Sequence, residues 1–225
     1  MTSSLCNLIP YRYEPHVQTD PIERKRAKFR ARFNNVLFNS QLNALLVTLI
    51  IIGCLIFSAS NIQWNTRLLL LLPVGFLYSD AAMYLAHRYQ QHRKLKFQEA
   101  VFEMHSIWHH GMFTNNKMHV DSVRDMNMVI LPFFVHGFVL CGIYLPIAFL
   151  VNLLHSDFGW ILLFSVALHS MWYEIVHTIA HMKNPPILKA LARHHREHHN
   201  PKSMGKYNFG IATTLFDRIF GTRIK

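Results

Sequence analysis

Eleven of the sixteen histidines in this 225-residue chain fall into four tight clusters. His87 and His92 frame HRYQQH, His105, His109 and His110 stand in HSIWHH, His177 and His181 in HTIAH, and His194, His195, His198 and His199 in HHREHH. Helical side chains four residues apart share a face, with Cβ atoms about 6 Å apart. His105 with His109, His177 with His181, and His195 with His199 are thus each expected to aim two imidazoles at one point. Neutral imidazole is the commonest metal-ligating side chain and suits Fe, Zn, Cu and Ni. The clusters contain no cysteine, which points away from thiolate sites. So many convergent imidazoles exceed the roughly four to six positions around one ion, and two metal ions are the natural number. A pH-sensitive lipid-binding patch is the alternative, but it leaves the paired spacings without a cause.

Four apolar blocks must position these clusters. A helix crossing a bilayer core needs roughly 20 apolar residues. Residues 42–60, 68–86, 128–154 and 159–180 each meet that length, with Pro132 and Pro146 expected to bend the third block. The composition agrees: 51% of residues are hydrophobic, only 16% are charged and mean hydropathy is +0.15, against about 25% charged in a soluble domain. The expectation is an all-α integral membrane protein with about four transmembrane helices and a helical cap carrying the histidines.

Charge sets the orientation. Of 23 Lys and Arg residues, only Arg67 lies in the two short loops 61–67 and 155–158; the rest lie in segments 1–41, 87–127 and 181–225. Positively charged loops stay inside, so both termini and the histidine clusters are expected on the cytosolic side, of a bacterial inner membrane or the endoplasmic reticulum. The pI of about 9.8 is then a topology signal, and nucleic-acid binding is excluded as a function class. No signal peptide is expected, since polar and basic residues precede the first block. Residues 1–41 read as a cytosolic basic arm in which Phe29, Phe33 and Leu37 give 22–37 the pattern of an amphipathic surface helix. Residues 42–225 read as a single membrane-embedded domain. Phe97, Val101, Met104, His105 and Trp108 are expected near one helical face, and ILKALAR after Pro185–Pro186 as a short helix. Cys6, Cys54 and Cys141 are too few for a disulfide framework.

Ionisable groups inside spans need partners. Asp80 and Glu174 stand on the same helices as His87 and His177, where each is expected to accept the free N–H of a ligating imidazole. A hydrogen bond to another helix is the competing role, as it is for His136 and His169.

With these clusters in order, the chain resembles the fatty acid hydroxylase and sterol desaturase superfamily of membrane-bound di-iron proteins. DAAMYLAHRYQQH looks like the family's first box, MHSIWHH its second, HTIAH its third and HHREHH its fourth, and NFG…TTLFDRIFGT, from Asn208 to Thr222, is similar to the segment that follows. Carried over position by position, the resemblance implies that His87, His92, His105, His109, His110, His177, His181, His195, His198 and His199 are the metal ligands. It leaves His194 and Asn208 beside Asp80 and Glu174 as supporting candidates. Three residues separate His105 from His109 where the family has two, and Phe216 stands where a tryptophan is common. The resemblance further implies two Fe ions (an imidazole cage also accepts zinc when it is abundant) and O2-dependent hydroxylation of an unactivated C–H bond in a fatty acyl, sterol or related lipid. Desaturation from the same site is the alternative outcome. The electron donor is implied to be a separate reductase, ferredoxin or cytochrome.

Three readings from other classes compete. His194-His195-Arg196-Glu197-His198 matches the H-x-x-E-H zinc hydrolase signature, paired histidines can ligate haem, and a non-catalytic lipid-binding membrane protein would need no chemistry at all.

Overall fold

The computed structural model describes residues 20–33, 39–154 and 157–224, and among these it is helical, with one isolated bridge between Thr114 and Lys117. Cys6, His16, Leu37 and His155 lie outside the described residues. Helix α1 (Pro21–Arg32) starts where Asp20 accepts from Ile22 N at 2.9 Å, with proline at its first position. Helix α2 (Ser40–Asn61) is capped the same way by Asn39, which accepts from Gln41 N and Leu42 N. Helix α3 (Thr66–Leu85) runs directly into a π-helical turn, Ala86–Gln91. Helix α4 (Glu99–Phe102) widens into π-helical Glu103–His109 and closes with His110–Met112. Then come a 3-10 turn, Val123–Met128, and the third span α5, built of Phe133–His136, a π-helical stretch Gly137–Tyr144, and Leu145–Leu154. Helix α6 (Phe158–Ala180), α7 (Lys189–His198) and α8 (Leu215–Ile219) complete the chain.

Four segments are long and apolar enough to cross a membrane: Ser40–Asn61, Leu69–Gln91, Val123–Leu154 and Phe158–Ala180. They match the four sequence blocks in number and order, as an integral membrane protein requires. The last is the central one, 61% buried against 28%, 22% and 11% for the others. Its Leu163, Val166 and Ala167 pack with Val47 and Ile51 of α2 and Leu140 and Ala148 of α5. Gly159 lets α6 touch α5 there, since a Cβ would collide with the Ala148 backbone. Pro132 does not bend the third span but precedes its first helical residue, Phe133. Asn43 of α2 holds that junction, accepting from Phe133 N at 2.7 Å and donating to Leu131 O at 3.3 Å.

The cap has its own apolar core: Phe29 of α1 with Trp108, Met112, Phe113, Met118, Met128 and Val129. Phe97 and Val101 do not join it, contrary to the pattern expected of 95–108. Helix α4 begins only at Glu99, and Phe97 sits at φ 68° with its ring exposed. Of ILKALAR, Ile187 and Leu188 precede the helix, and Lys189–Arg193 is only the start of a longer one, α7, which continues through His198 of the fourth histidine box.

Candidate metal centre

All ten expected ligands come together at one end of the four spans, in two adjoining groups. In the first, His87, His92, His105, His110 and His198 bring their ligating atoms within 4.8 Å of one another. His87 Nε2 stands 2.9 Å from His105 Nε2 and 3.2 Å from His92 Nε2; His92 Nε2 is 3.0 Å from His198 Nε2, and His110 Nε2 3.2 Å from His105 Nε2. In the second, His109, His177, His181 and His195 converge equally closely. His199 joins this group, its Nε2 lying 3.1 Å from Nε2 of both His109 and His195. The groups touch where the His110 and His199 rings stack with centroids 4.2 Å apart.

The π-helical turns decide which histidine goes where. A π turn holds one residue more than an α turn, so side chains five apart share a face. His87 pairs with His92 and His105 with His110, both across five residues. His105 and His109 therefore serve different groups, contrary to the expectation from their i, i+4 spacing. The additional residue in HSIWHH is absorbed as helix geometry, and His105 keeps its place in the first group.

Six rings are oriented by backbone carbonyls. Nδ1–H donates from His87 to Phe209 O (2.6 Å), His109 to Met128 O (2.5 Å), His177 to Val129 O (2.8 Å), His181 to Met118 O (2.8 Å), His198 to Tyr207 O (2.9 Å) and His199 to Phe113 O (2.6 Å). A carbonyl can only accept, so the proton sits on Nδ1 and Nε2 is bare. His92 is fixed through a side chain instead: Ser106 donates to Gln91 O, leaving its oxygen to accept from His92 Nδ1 at 3.3 Å. Bare nitrogens such as those of His109 and His199 thus face each other about 3 Å apart with no proton between them. Lone pairs so placed repel unless a cation sits among them. Metal–imidazole bonds of about 2.1 Å set at right angles put neighbouring nitrogens about 3.0 Å apart, the spacing observed here. The donor set, all imidazole, suits iron.

A family model described as fatty acid hydroxylase matches residues 72–222, which include every histidine of both groups. The chain belongs to the fatty acid hydroxylase family. Among curated proteins, the Delta(7)-sterol 5(6)-desaturase erg31 of Schizosaccharomyces pombe is 28% identical over 148 residues, covering 66% of this chain. The chain spans 42% of that desaturase's length. A solved structure of full-length scs7p, in which only the hydroxylase domain is visible, has the same fold, with a TM-score of 0.59 at 20% identity over 86% of this chain and 71% of that one.

The supporting residues of this family member differ from those expected. Asp80 Oδ1 pairs with His169 Nε2 at 3.3 Å and its Oδ2 accepts from Thr213 Oγ1. Glu174 Oε1 pairs with His136 Nε2 at 2.9 Å and accepts from Leu131 N. Neither carboxylate accepts from a box histidine, because carbonyls already hold those rings; the helix-to-helix role is the one observed. His194 turns away from the boxes and meets Asp217 Oδ2 at 2.9 Å, while Glu197 accepts from Asn208 Nδ2 at 3.2 Å. His194 and His198 therefore do not converge as an H-x-x-E-H zinc site would need.

Two supports went unnoticed in the sequence. Asp217 and Arg26 are both fully buried. Asp217 lies in the family's tail segment, whose match carried a hint; an arginine in a basic arm carried none.

Burial first, and then the neighbouring imidazoles, hold His105, His110, His181, His195, His198 and His199 well below the ordinary value near 6.5. Burial likewise pushes His92 down to about 2 and His109 to about 3. The unfolded chain takes up these protons near pH 6.5, whereas the folded chain takes them up only far lower. Stability of the metal-stripped protein is therefore complete above about pH 6.5 and is lost as pH falls toward the depressed values. Thermal melts of the metal-free protein in detergent should show Tm level above about pH 7 and falling steadily from there to about pH 5; a flat profile would contradict the burial of these rings.

Proposed function

We propose that the chain is a membrane di-iron oxidoreductase that uses O2 to hydroxylate an unactivated C–H bond of a lipid. The observation that carries this reading is the set of bare, carbonyl-oriented imidazole nitrogens converging in two adjoining groups. His87, His92, His105, His110 and His198 hold one iron, and His109, His177, His181, His195 and His199 the other. When bound, the irons supply the reduction of O2 and the oxidising power that the bond requires. The protein's own residues do the rest. The six carbonyl clamps, with Ser106 on His92, fix seven of the ten rings before metal arrives, so most of the ligand geometry needs no rearrangement. Burial of the rings keeps bulk water from a strong oxidant.

An apolar crevice of about 300 Å³ lies between α2 and α6, lined by Ala44, Val47, Ile130, Ile175 and Ile179. It is formed by the turns of α6 on either side of His177, and on this reading it offers a place for a lipid chain. The desaturase relative favours a second outcome on the same site, in which a second hydrogen leaves and a double bond results.

Both termini and the cap face the cytosol on this reading, because twenty-two of the 23 cationic residues lie on that side. Residues 1–41 serve as a basic arm and 42–225 as one membrane-embedded domain. Electrons arrive from a separate reductase, ferredoxin or cytochrome on the same side.

The test supplies iron-loaded protein in lipid nanodiscs with a ferredoxin and its reductase, an extract of membrane lipids and isotopically heavy O2. Mass spectrometry should find a lipid that has gained one heavy oxygen atom, or one that has lost two hydrogens. Neither product from protein that holds both irons would overturn the reading.

A further inference from the structure

We propose that each metal group is held in register by its own buried charge, Asp217 for the His87 group and Arg26 for the His109 group, so that either metal can be lost alone. The inference rests on the proposed function only in taking both groups to hold metal.

Asp217 makes four side-chain hydrogen bonds. Oδ1 accepts from Phe209 N at 2.9 Å and Thr222 Oγ1 at 2.7 Å; Oδ2 accepts from Gly210 N at 2.7 Å and His194 Nε2 at 2.9 Å. Burial pushes this carboxyl upward, but the bonds from His194, Thr222 and Gly210 outweigh it and leave the group below its usual range. The segment it grips is 207–210, which carries the Tyr207 and Phe209 carbonyls. Those are the carbonyls that orient His198 and His87, both of the first group. Asn208 between them sits at φ 58°, and a Cβ on Gly210 would meet Thr213 O and Asp217 Oδ2. The backbone there is bent into a form it would not choose unaided, and Asp217 is what its amides close upon.

Arg26 does the corresponding work from α1. Its guanidinium donates to Met112 O at 3.0 Å, Lys117 O at 3.3 Å and His119 O at 3.0 Å, and pairs with Asp121. Along this loop the carbonyls alternate. Those of 112, 117 and 119 face Arg26, while those of Phe113 and Met118 face His199 and His181, both of the second group. The guanidinium also lies over the Phe113 ring, 5.1 Å from its centroid, and that ring packs on His181 at 4.6 Å. Neither charge touches a metal-ligating ring, so both are positioning residues.

Losing an outer partner of a metal ligand typically weakens metal binding by roughly 10–100-fold. The experiment reconstitutes full-length protein with ferrous iron, dialyses it, counts iron per chain and footprints the histidines with diethylpyrocarbonate and mass spectrometry. The unaltered protein should hold two irons with both groups protected; if it holds none, the reading of the centre fails before this inference is reached. Asp217→Ala should retain one iron, with His87 and His198 newly modified and His177 and His181 still protected. Arg26→Ala should show the converse pattern, and the double variant should lose both irons. Should either alanine variant lose its helical circular dichroism, Asp217→Asn and Arg26→Lys replace it: the first keeps the shape and the second the charge, neither keeps the full set of bonds, and the same partition is expected. Loss of both irons from either folded single variant, or retention of both, overturns the proposal.

Discussion

Replacing His195 and His198 together by alanine should yield a folded chain that binds no iron and forms no product. The two residues share one helix, α7, yet serve different groups: His195 Nε2 lies 3.2 Å from His181 Nε2, and His198 Nε2 3.0 Å from His92 Nε2. The double change therefore removes a ligand from each group. Activity should fall by well over the roughly 100-fold that loss of a ligand's supporting partner alone can cause. The single changes separate the groups, His195→Ala emptying the second and His198→Ala the first, so iron per chain should halve in each. Plasma mass spectrometry on detergent-purified protein, beside a product assay, reads all three. Full iron in the double variant would mean that metal sits elsewhere, and the assignment of the centre would fall.

The second large effect lies inside the membrane. His136 of α5 and Glu174 of α6 are paired at 2.9 Å with both side chains nearly buried. Removing one partner of this buried hydrogen bond leaves the other polar group unsatisfied at a cost of about 1–3 kcal/mol, whereas replacing both by apolar groups of similar shape can be close to neutral. His136→Ala should therefore lower Tm sharply, and His136→Leu with Glu174→Leu should recover much of the loss. The consequence reaches the centre, since Glu174 also accepts from Leu131 N, two residues beyond the Val129 carbonyl that orients His177. Thermal melts of the singles and the double form a cycle with a large coupling energy. A single change as mild as the double would show that the pair contributes nothing.

The spans and the histidines that converge were legible in the sequence because both rest on local signals. Apolar runs of bilayer length have few other causes, and four histidine boxes in a fixed order are specific as a set. What escaped is whatever depends on backbone shape or on distant partners. The i, i+4 rule assigned His105 to His109, and only the π-helical widening of 103–109 shows that His105 belongs with His110 instead. Asp80 and Glu174 were rightly expected to need partners, but spacing along one helix could not reveal His169 and His136 on neighbouring ones. The carbonyl clamps leave no trace in side-chain identity, since any residue at 113, 118 or 129 offers the same oxygen. Arg26 looked like one more cation of a solvated arm, and its burial follows from a loop ninety residues away.

The grip of residues 207–222 on His87 and His198 also sets an order of events during synthesis. The four spans and all ten ligating histidines precede that segment in the chain, so they are made before the carbonyls that aim two of them. A chain terminated anywhere between Asn200 and Tyr207 would possess every ligand and a complete set of spans. It would carry the right residues and still lack the Phe209 carbonyl that receives His87. The carbonyls that aim His87 and His198 are thus the last pieces of the first group to be made, and its two rings find their partners only once the tail has closed.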